Sequence, residues 1–110
     1  MPRDAQKLLV DIRTACEEII QFTEGKNIDD FKKDRILQLA LERQFEIIGE
    51  AIYRLDRIDH EHLAIKIPEY PKIIGFRNVI AHGYDIIDYD VIWDFAKERV
   101  PELLEKTNKY

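Results

Sequence analysis

Four side chains with chemical potential fall within one short segment of the chain, Arg77, Asn78, His82 and Tyr84. A guanidinium group is suited to hold a phosphodiester through paired, charge-assisted hydrogen bonds. An imidazole with an ordinary pKa of about 6.5 can accept and return a proton near neutral pH. A tyrosine adds a free hydroxyl. These residue types together could perform acid–base chemistry on a phosphate ester.

A helix predicted over Lys72–His82 must position these groups, with Gly83 as its C-terminal stop. Asn78 and His82 are four residues apart and share a face. Arg77 and His82 diverge by roughly 140°, yet a long arginine near a helix end can still reach the histidine's target. Two copies of the segment meeting in a dimer would have the same effect. The negative end of the helix dipole would favour the imidazolium form.

A structural interpretation of the same residues stays open. His82 could cap its own helix, and Arg77 could pair with a surface carboxylate. Spacing alone does not decide between this interpretation and a metal-free site for phosphoryl chemistry.

Composition predicts a single cytoplasmic domain over residues 1–110, with 45% hydrophobic residues. No apolar run has the roughly 20 residues that would span a bilayer, and no signal-peptide pattern is found at the N-terminus. Cys16, the single cysteine, lies among apolar neighbours and is expected to be buried. The net charge of −5 disfavours nucleic-acid binding by the whole surface, so any RNA must bind a local cationic cleft.

Helical periodicity predicts an all-α fold, an up-down four-helix bundle that dimerises through helix faces. Ile28–Lys33, with Asp29 or Asp30 as an N-cap, and Ile58–Tyr70 are expected to be connections. Pro101 predicts a kink or break of the last helix near Val100. The predicted helices are Asp4–Thr23, Asp34–Arg57, Lys72–His82 and Tyr89–Lys106, the last with Asp88 as its cap.

The second helix is apolar over about half of its circumference, which predicts a central helix or one that serves both the core and a partner. The residues expected to be buried include Ile36 on this helix, Val79 on the third and Val91 on the fourth, and Trp93 is expected at a helix seam. The opposite side carries a charged strip. It is either a solvated face or the wall of a cleft that supplies side chains to the motif. The strip comprises Arg43, Glu46, Glu50, Arg54 and Arg57.

His60 and His62 form a His-x-His pair, which is a weak metal signal without further ligands at a defined spacing. No metal or other cofactor is therefore expected.

An all-helical chain of this length with Arg77-Asn78 followed by His82-Gly83-Tyr84 resembles the HEPN superfamily. More narrowly, it resembles the HepT-like toxins of MNT/HEPN toxin–antitoxin pairs. The resemblance covers essentially the whole chain and includes the Ile-Ile-Gly-Glu-Ala segment, residues 47–51.

The resemblance implies a metal-independent endoribonuclease that acts as a homodimer. His82 would move protons, Arg77 would stabilise developing charge, and Asn78 would orient the histidine or bind the phosphate. Glu50, on the charged strip, is expected to be a supporting residue of the cleft, although the resemblance does not assign it. A partner, the minimal nucleotidyltransferase (MNT) antitoxin, would neutralise the toxin by transferring AMP to Tyr84. The alternative is a non-catalytic HEPN subunit that binds nucleotide or substrate for a nucleotidyltransferase, with Arg77 holding the phosphate.

Overall fold

The computed structural model describes residues 3–82 and 88–110, and describes His82 by its backbone alone. Every regular element in these ranges is helical. The α-helices are α1 (Arg3–Thr23), α2 (Ile28–Lys33), α3 (Arg35–Lys66), α4 (Tyr70–His82), α5 (Tyr89–Asp94) and α6 (Val100–Asn108), and a π-helical segment (Phe95–Arg99) joins α5 to α6.

Helix α3 is the central element, because α1 and α4 both pack along it, while α6 packs against α1. The predicted apolar face of α1 is buried at Leu9, Ile12 and Ile19. On α3 the buried side chains include Leu41, Ile48 and Ile52. The all-α bundle expected from periodicity is therefore confirmed. No helix in the described ranges is long and apolar enough to cross a membrane.

Residues 28–33 form a helix, so the predicted connection was wrong. The N-cap is Asn27, whose side chain accepts from the Asp30 backbone N–H at 2.9 Å. The Asp30 carboxylate accepts in return from the Asn27 N–H at 2.9 Å, which completes a capping box. Phe31 is fully buried and stacks on Trp93 with 5.3 Å between ring centroids, as expected for a seam tryptophan. A capping box at its start and the buried Phe31 thus help to hold this short helix in place.

Helix α3 continues to Lys66, so the predicted connection from Ile58 was wrong as well. The chain bends at Asp59, whose φ of −147° and ψ of 42° are not helical, and then resumes the helix. Residues 58–66 contain no glycine or proline that would stop it. Leu63 and Ile67 are fully buried and hold the second half of the helix on the core.

The last helix is irregular, as Pro101 predicted, but the irregularity begins before Val100. Residues 95–99 form the π-helical segment, in which the Val100 N–H donates to the Phe95 carbonyl. A proline has no N–H to donate to the carbonyl four residues earlier, and a wider turn tolerates this loss. Asp88 caps α5 as predicted, accepting from the Asp90 N–H at 2.9 Å.

Three apolar side chains predicted to be buried are exposed, namely Ile36 (80%), Val79 (47%) and Val91 (48%). Each lies at the margin of an apolar face, where periodicity cannot separate core from surface. They occur near one end of the bundle. At this end Arg35 of α3 donates to the Tyr89 hydroxyl of α5 at 3.5 Å. Helix α4 also ends here, beside the first half of α3.

Candidate functional site

Arg77 owes its position to a close approach of α3 and α4. Gly49 on α3 is buried directly beneath the stem of Arg77 on α4. A Cβ at position 49 would overlap the Cβ and Cγ of Arg77 and would lie 3.4 Å from its Cδ. A glycine at this crossing therefore allows the arginine to lie across α3 and reach the charged strip.

The guanidinium of Arg77 is held from two sides. Its Nη2 donates to Glu50 Oε2 at 3.4 Å, and its Nη1 donates to Asn78 Oδ1 at 3.0 Å. Its Nε is buried and has no hydrogen-bond partner among the described residues. The Arg77 and Glu50 side chains are 31% and 39% exposed, so this ion pair contributes at most about 1 kcal/mol to stability. The pair therefore serves to orient the guanidinium more than to hold the fold together.

Glu50 joins Arg77 to a second guanidinium. Its Oε1 accepts from Arg54 Nε at 2.9 Å, while its Oε2 accepts from Arg77. Two arginines from different helices thus converge on one carboxylate. An anion with the same need for two donors, such as a phosphate, could be held by the same pair.

These side chains line a groove of about 240 Å³ between α1 and α3. Leu8 and Asp11 of α1 form one wall of the groove, Arg43, Glu46, Glu50 and Arg54 of α3 form the other, and Arg77 of α4 also lines it. The two interpretations of the charged strip prove compatible. The strip forms pairs within the helix, such as Glu50 with Arg54, and it also lines a cleft that contains the motif arginine.

Glu42 carries a largely buried carboxylate that the sequence alone did not single out. Its side chain is 16% exposed, its Oε2 has no hydrogen-bond partner in the described part of the chain, and Arg35 is 3.9 Å away. Burial, partly offset by Arg35, raises its pKa above the usual range. Helices α3 and α4 run antiparallel, because residues 67–69 alone join them and His60 lies against Tyr70 (6.0 Å) while Phe45 lies against Phe76 (5.1 Å). Glu42 is therefore about level with the last turn of α4. In the sequence, the feature that could have identified Glu42 was a carboxylate residue within an apolar part of the second helix.

The remaining motif residues are described only in part. Asn78 is exposed and bound to Arg77, and His82 is the last residue of α4. The side chain of His82 and the whole of Gly83 and Tyr84 lie outside the described residues. The expected convergence of Arg77 with His82, and the place of Tyr84, therefore stay predictions.

The other polar candidates have structural partners. His60 contacts Asp56 at 2.6 Å and His62 contacts Asp59 at 3.4 Å, both on α3 rather than in a loop. Residues 3–82 and 88–110, with the His82 side chain left aside, contain no cluster of three potential metal ligands. Burial raises the pKa of the Cys16 thiol to about 12, with a smaller contribution from Glu17, so this cysteine is a core residue and a poor nucleophile.

Comparison with known proteins identifies relatives over nearly the whole chain. A family model described as ribonuclease HepT-like matches residues 12–110. A Methanocaldococcus jannaschii protein named "Putative RNase" is 33% identical over 103 residues, covering 92% of this chain and 91% of its own. A Thermococcus cleftensis protein named "Probable ribonuclease HepT" is 35% identical over 109 residues, covering 99% and 97% of the two chains. No solved structure gives a significant match.

Proposed function

The chain belongs to the HepT-like family of HEPN-type ribonucleases, and we propose that it is a metal-independent endoribonuclease acting as a toxin. The observation that supports this most directly is the Arg77 guanidinium. It lines the groove between α1 and α3, oriented by Glu50 and Asn78, with the Arg54 guanidinium on the same carboxylate. A groove with two convergent guanidinium groups fits a phosphodiester backbone.

The proposed reaction uses the RNA as its own nucleophile. The 2′-hydroxyl attacks the adjacent phosphorus, the new O–P bond forms, and the bond to the 5′-oxygen of the next nucleotide breaks. His82 takes the proton of the 2′-hydroxyl and a proton is returned to the leaving oxygen. Arg77 stabilises the negative charge that develops on the phosphoryl oxygens. DNA lacks the 2′-hydroxyl and would not be cleaved.

The active unit is proposed to be a homodimer, with Arg77 and His82 of both copies facing one cleft. Exposed apolar side chains support a helix-face interface, since Ile36 and Leu39 on α3 are 80% and 50% exposed. They continue along the same side of α3 as Arg43 and Glu50, at helical spacing. A second copy covering this side would bring the two grooves together.

Control of the toxin is proposed to act through Tyr84. A minimal nucleotidyltransferase antitoxin would transfer AMP from ATP to the tyrosine hydroxyl and release pyrophosphate. The new phosphoester beside Arg77 and His82 would occupy their cationic site and exclude RNA.

The decisive experiment compares the wild-type chain with His82→Ala, each expressed alone. The wild type should arrest growth and cleave RNA, and the variant should lose cleavage by about 10²–10⁴-fold, the usual contribution of general acid–base catalysis. Cleavage is measured on purified protein with excess chelator to test metal independence. Equal cleavage by both proteins would eliminate His82 as the proton-transfer residue.

The AMP-transfer step has its own test, Tyr84→Phe co-expressed with the antitoxin. The variant should stay toxic, because phenylalanine has no hydroxyl to accept AMP, while the wild type should be neutralised. Mass spectrometry of the co-expressed wild type should find one added AMP. Full neutralisation of Tyr84→Phe would contradict control through this residue.

A second candidate function is a non-catalytic nucleotide- or substrate-binding subunit of a minimal nucleotidyltransferase. The net charge of −5 favours this function, because it disfavours nucleic-acid binding by the whole surface. The groove in which Arg77 pairs with Glu50 is also of a size that can hold one nucleotide phosphate. This function predicts nucleotide binding without RNA cleavage, and Arg77→Ala would abolish the binding. The cleavage assay above therefore separates the two candidates.

A further inference from the structure

The groove at Arg77 continues along α1 and α3. A second depression of about 390 Å³ adjoins it and is lined by Asp4, Lys7 and Asp11 of α1 with Arg54, Arg57 and Ile58 of α3. Leu8, Asp11 and Arg54 line both depressions. Arg54 is therefore the cationic residue common to the two.

The charge of this continuous channel differs from that of the whole chain. Its walls carry five cationic residues, Lys7, Arg43, Arg54, Arg57 and Arg77, and four acidic residues, Asp4, Asp11, Glu46 and Glu50. The channel has a formal charge of +1 within a chain of −5. An acidic protein that binds a nucleic acid needs a local surface of this kind.

The carboxylates of the channel already occupy several of its cations. Lys7 pairs with Asp11 at 3.1 Å, and Arg43 pairs with Glu46 at 3.5 Å. Glu50 alone bridges two cations, Arg54 and Arg77. These exposed pairs are weak and exchangeable. Phosphates of an RNA backbone can therefore replace the carboxylate as acceptors for the two arginines at little cost.

Resting on the proposed ribonuclease function, we propose that Arg54 is a second phosphate-binding residue for single-stranded RNA. Glu50 holds Arg54 and Arg77 together in the free protein. The RNA backbone displaces this carboxylate, so that Arg77 holds the phosphate that reacts and Arg54 holds a neighbouring one. The strand then follows the channel toward Arg57.

The length of the channel fits this assignment. Arg43 and Arg57 are fourteen residues apart on α3, about 21 Å at roughly 1.5 Å per residue. A stacked strand that advances about 3.4 Å per nucleotide would place about six nucleotides along it. The substrate segment in contact with one protomer is therefore a short single strand.

The test measures binding of a fluorescent oligonucleotide whose 2′-hydroxyls are all methylated, because blocking the nucleophile prevents cleavage. Affinity is followed by anisotropy over a range of NaCl concentrations. The variants are Arg54→Ala, Arg54→Lys, Glu50→Gln and the double variant Arg54→Ala/Glu50→Gln. The matched control is Arg99→Ala, which removes an exposed arginine paired with Glu102 at 3.3 Å in a different groove.

Arg54→Ala should weaken binding about tenfold and should reduce the slope of log affinity against log salt by about 0.7, the value for one phosphate contact on a single strand. Arg54→Lys should keep the salt slope and lose part of the affinity, because the charge remains without the planar fork. Glu50→Gln should bind severalfold more tightly, since no carboxylate competes. Arg99→Ala should match the wild type in both affinity and slope.

The double variant separates phosphate binding from mere positioning of Arg77. If Arg54 contacts RNA, replacing it with alanine should still weaken RNA binding about tenfold in the Glu50→Gln background. An unchanged affinity there, an unchanged salt slope in Arg54→Ala, or weaker binding by Glu50→Gln would overturn the proposal. Cleavage of unmodified RNA is assayed in parallel. If the wild type cleaves RNA and Arg54→Ala cleaves it as fast as Arg99→Ala does, this inference alone fails. If the protein binds RNA in a salt-dependent manner but does not cleave it, the ribonuclease proposal alone fails.

Discussion

At the scale of single residues, the site depends on a glycine as much as on its charged groups. The Arg77 stem occupies the space that a side chain at Gly49 would need. Glycine in a helix interior costs about 0.5–1 kcal/mol relative to alanine. Here the compensation is the close crossing of α3 and α4, which carries the arginine to Glu50.

Gly49→Ala should therefore destabilise the protein by about 1–3 kcal/mol, because α4 must move away or Arg77 must leave its position. Cleavage should fall with it. The free energy of unfolding is measured by urea denaturation. Gly75→Ala is the matched control: it is also a glycine in a helix, but an added Cβ has nothing within 4 Å. This control should be stabilised by about 0.5–1 kcal/mol, and equal effects at the two positions would refute the crowding argument.

At the scale of elements, a buried polar residue attaches the short helix α2 to α3. Gln38 is 5% exposed, and its Nε2 donates to the carbonyls of Phe31 (3.0 Å) and Lys32 (3.1 Å) at the end of α2. The last carbonyls of a helix have no partner within that helix. The amide of Gln38 donates to two of them where water has little access, and the Phe31 carbonyl accepts in addition from the Asp34 N–H at 3.2 Å.

Gln38→Ala should cost about 1–3 kcal/mol, since it removes the Nε2 donor of the Lys32 carbonyl and one of the two donors of the Phe31 carbonyl, which keeps the Asp34 N–H at 3.2 Å. Thermal and urea unfolding measure the loss. The comparison variant is Gln21→Ala, at an exposed position of α1, and it should change stability by less than about 0.5 kcal/mol. A Gln38→Ala variant as stable as Gln21→Ala would show that α2 does not depend on this contact.

At the scale of the whole molecule, the proposed homodimer needs a surface, and exposed apolar side chains indicate where it lies. Ile36, Leu39, Val79 and Val91 all occur near the end of the bundle where α4 finishes. A second copy that covers this end would adjoin the groove of Arg77. The catalytic proposal and the assembly proposal thus depend on the same side of α3.

Ile36→Glu should convert the dimer to a 13.1 kDa monomer, because a charge in a closed apolar interface is not compensated. The control, Ile65→Glu, changes a side chain that is 75% exposed in the second half of α3, and it should remain dimeric. Light scattering during gel filtration gives the masses. Dimeric Ile36→Glu, or a monomeric wild type, would contradict the proposed interface.

The sequence by itself determined the helical class, the apolar faces of α1 and α3, the cap at Asp88 and the irregular last helix, because each follows from local spacing and backbone chemistry. It also selected Arg77 and the charged strip as candidates. The sequence did not predict helix α2 or the continuation of α3 beyond Ile58. In both places the burial of an apolar side chain, such as Phe31 or Leu63, outweighs the local sequence features that indicate a connection.

Only the tertiary structure decided which charged groups meet. Arg77 and Glu50 are 27 residues apart in the chain, and no periodicity relates positions on two different helices. Their contact follows from the crossing of α3 and α4 at Gly49, as does the level of Glu42 on α3 relative to α4. Local spacing fixes which face of a helix a residue occupies, whereas packing between helices fixes what that face encounters.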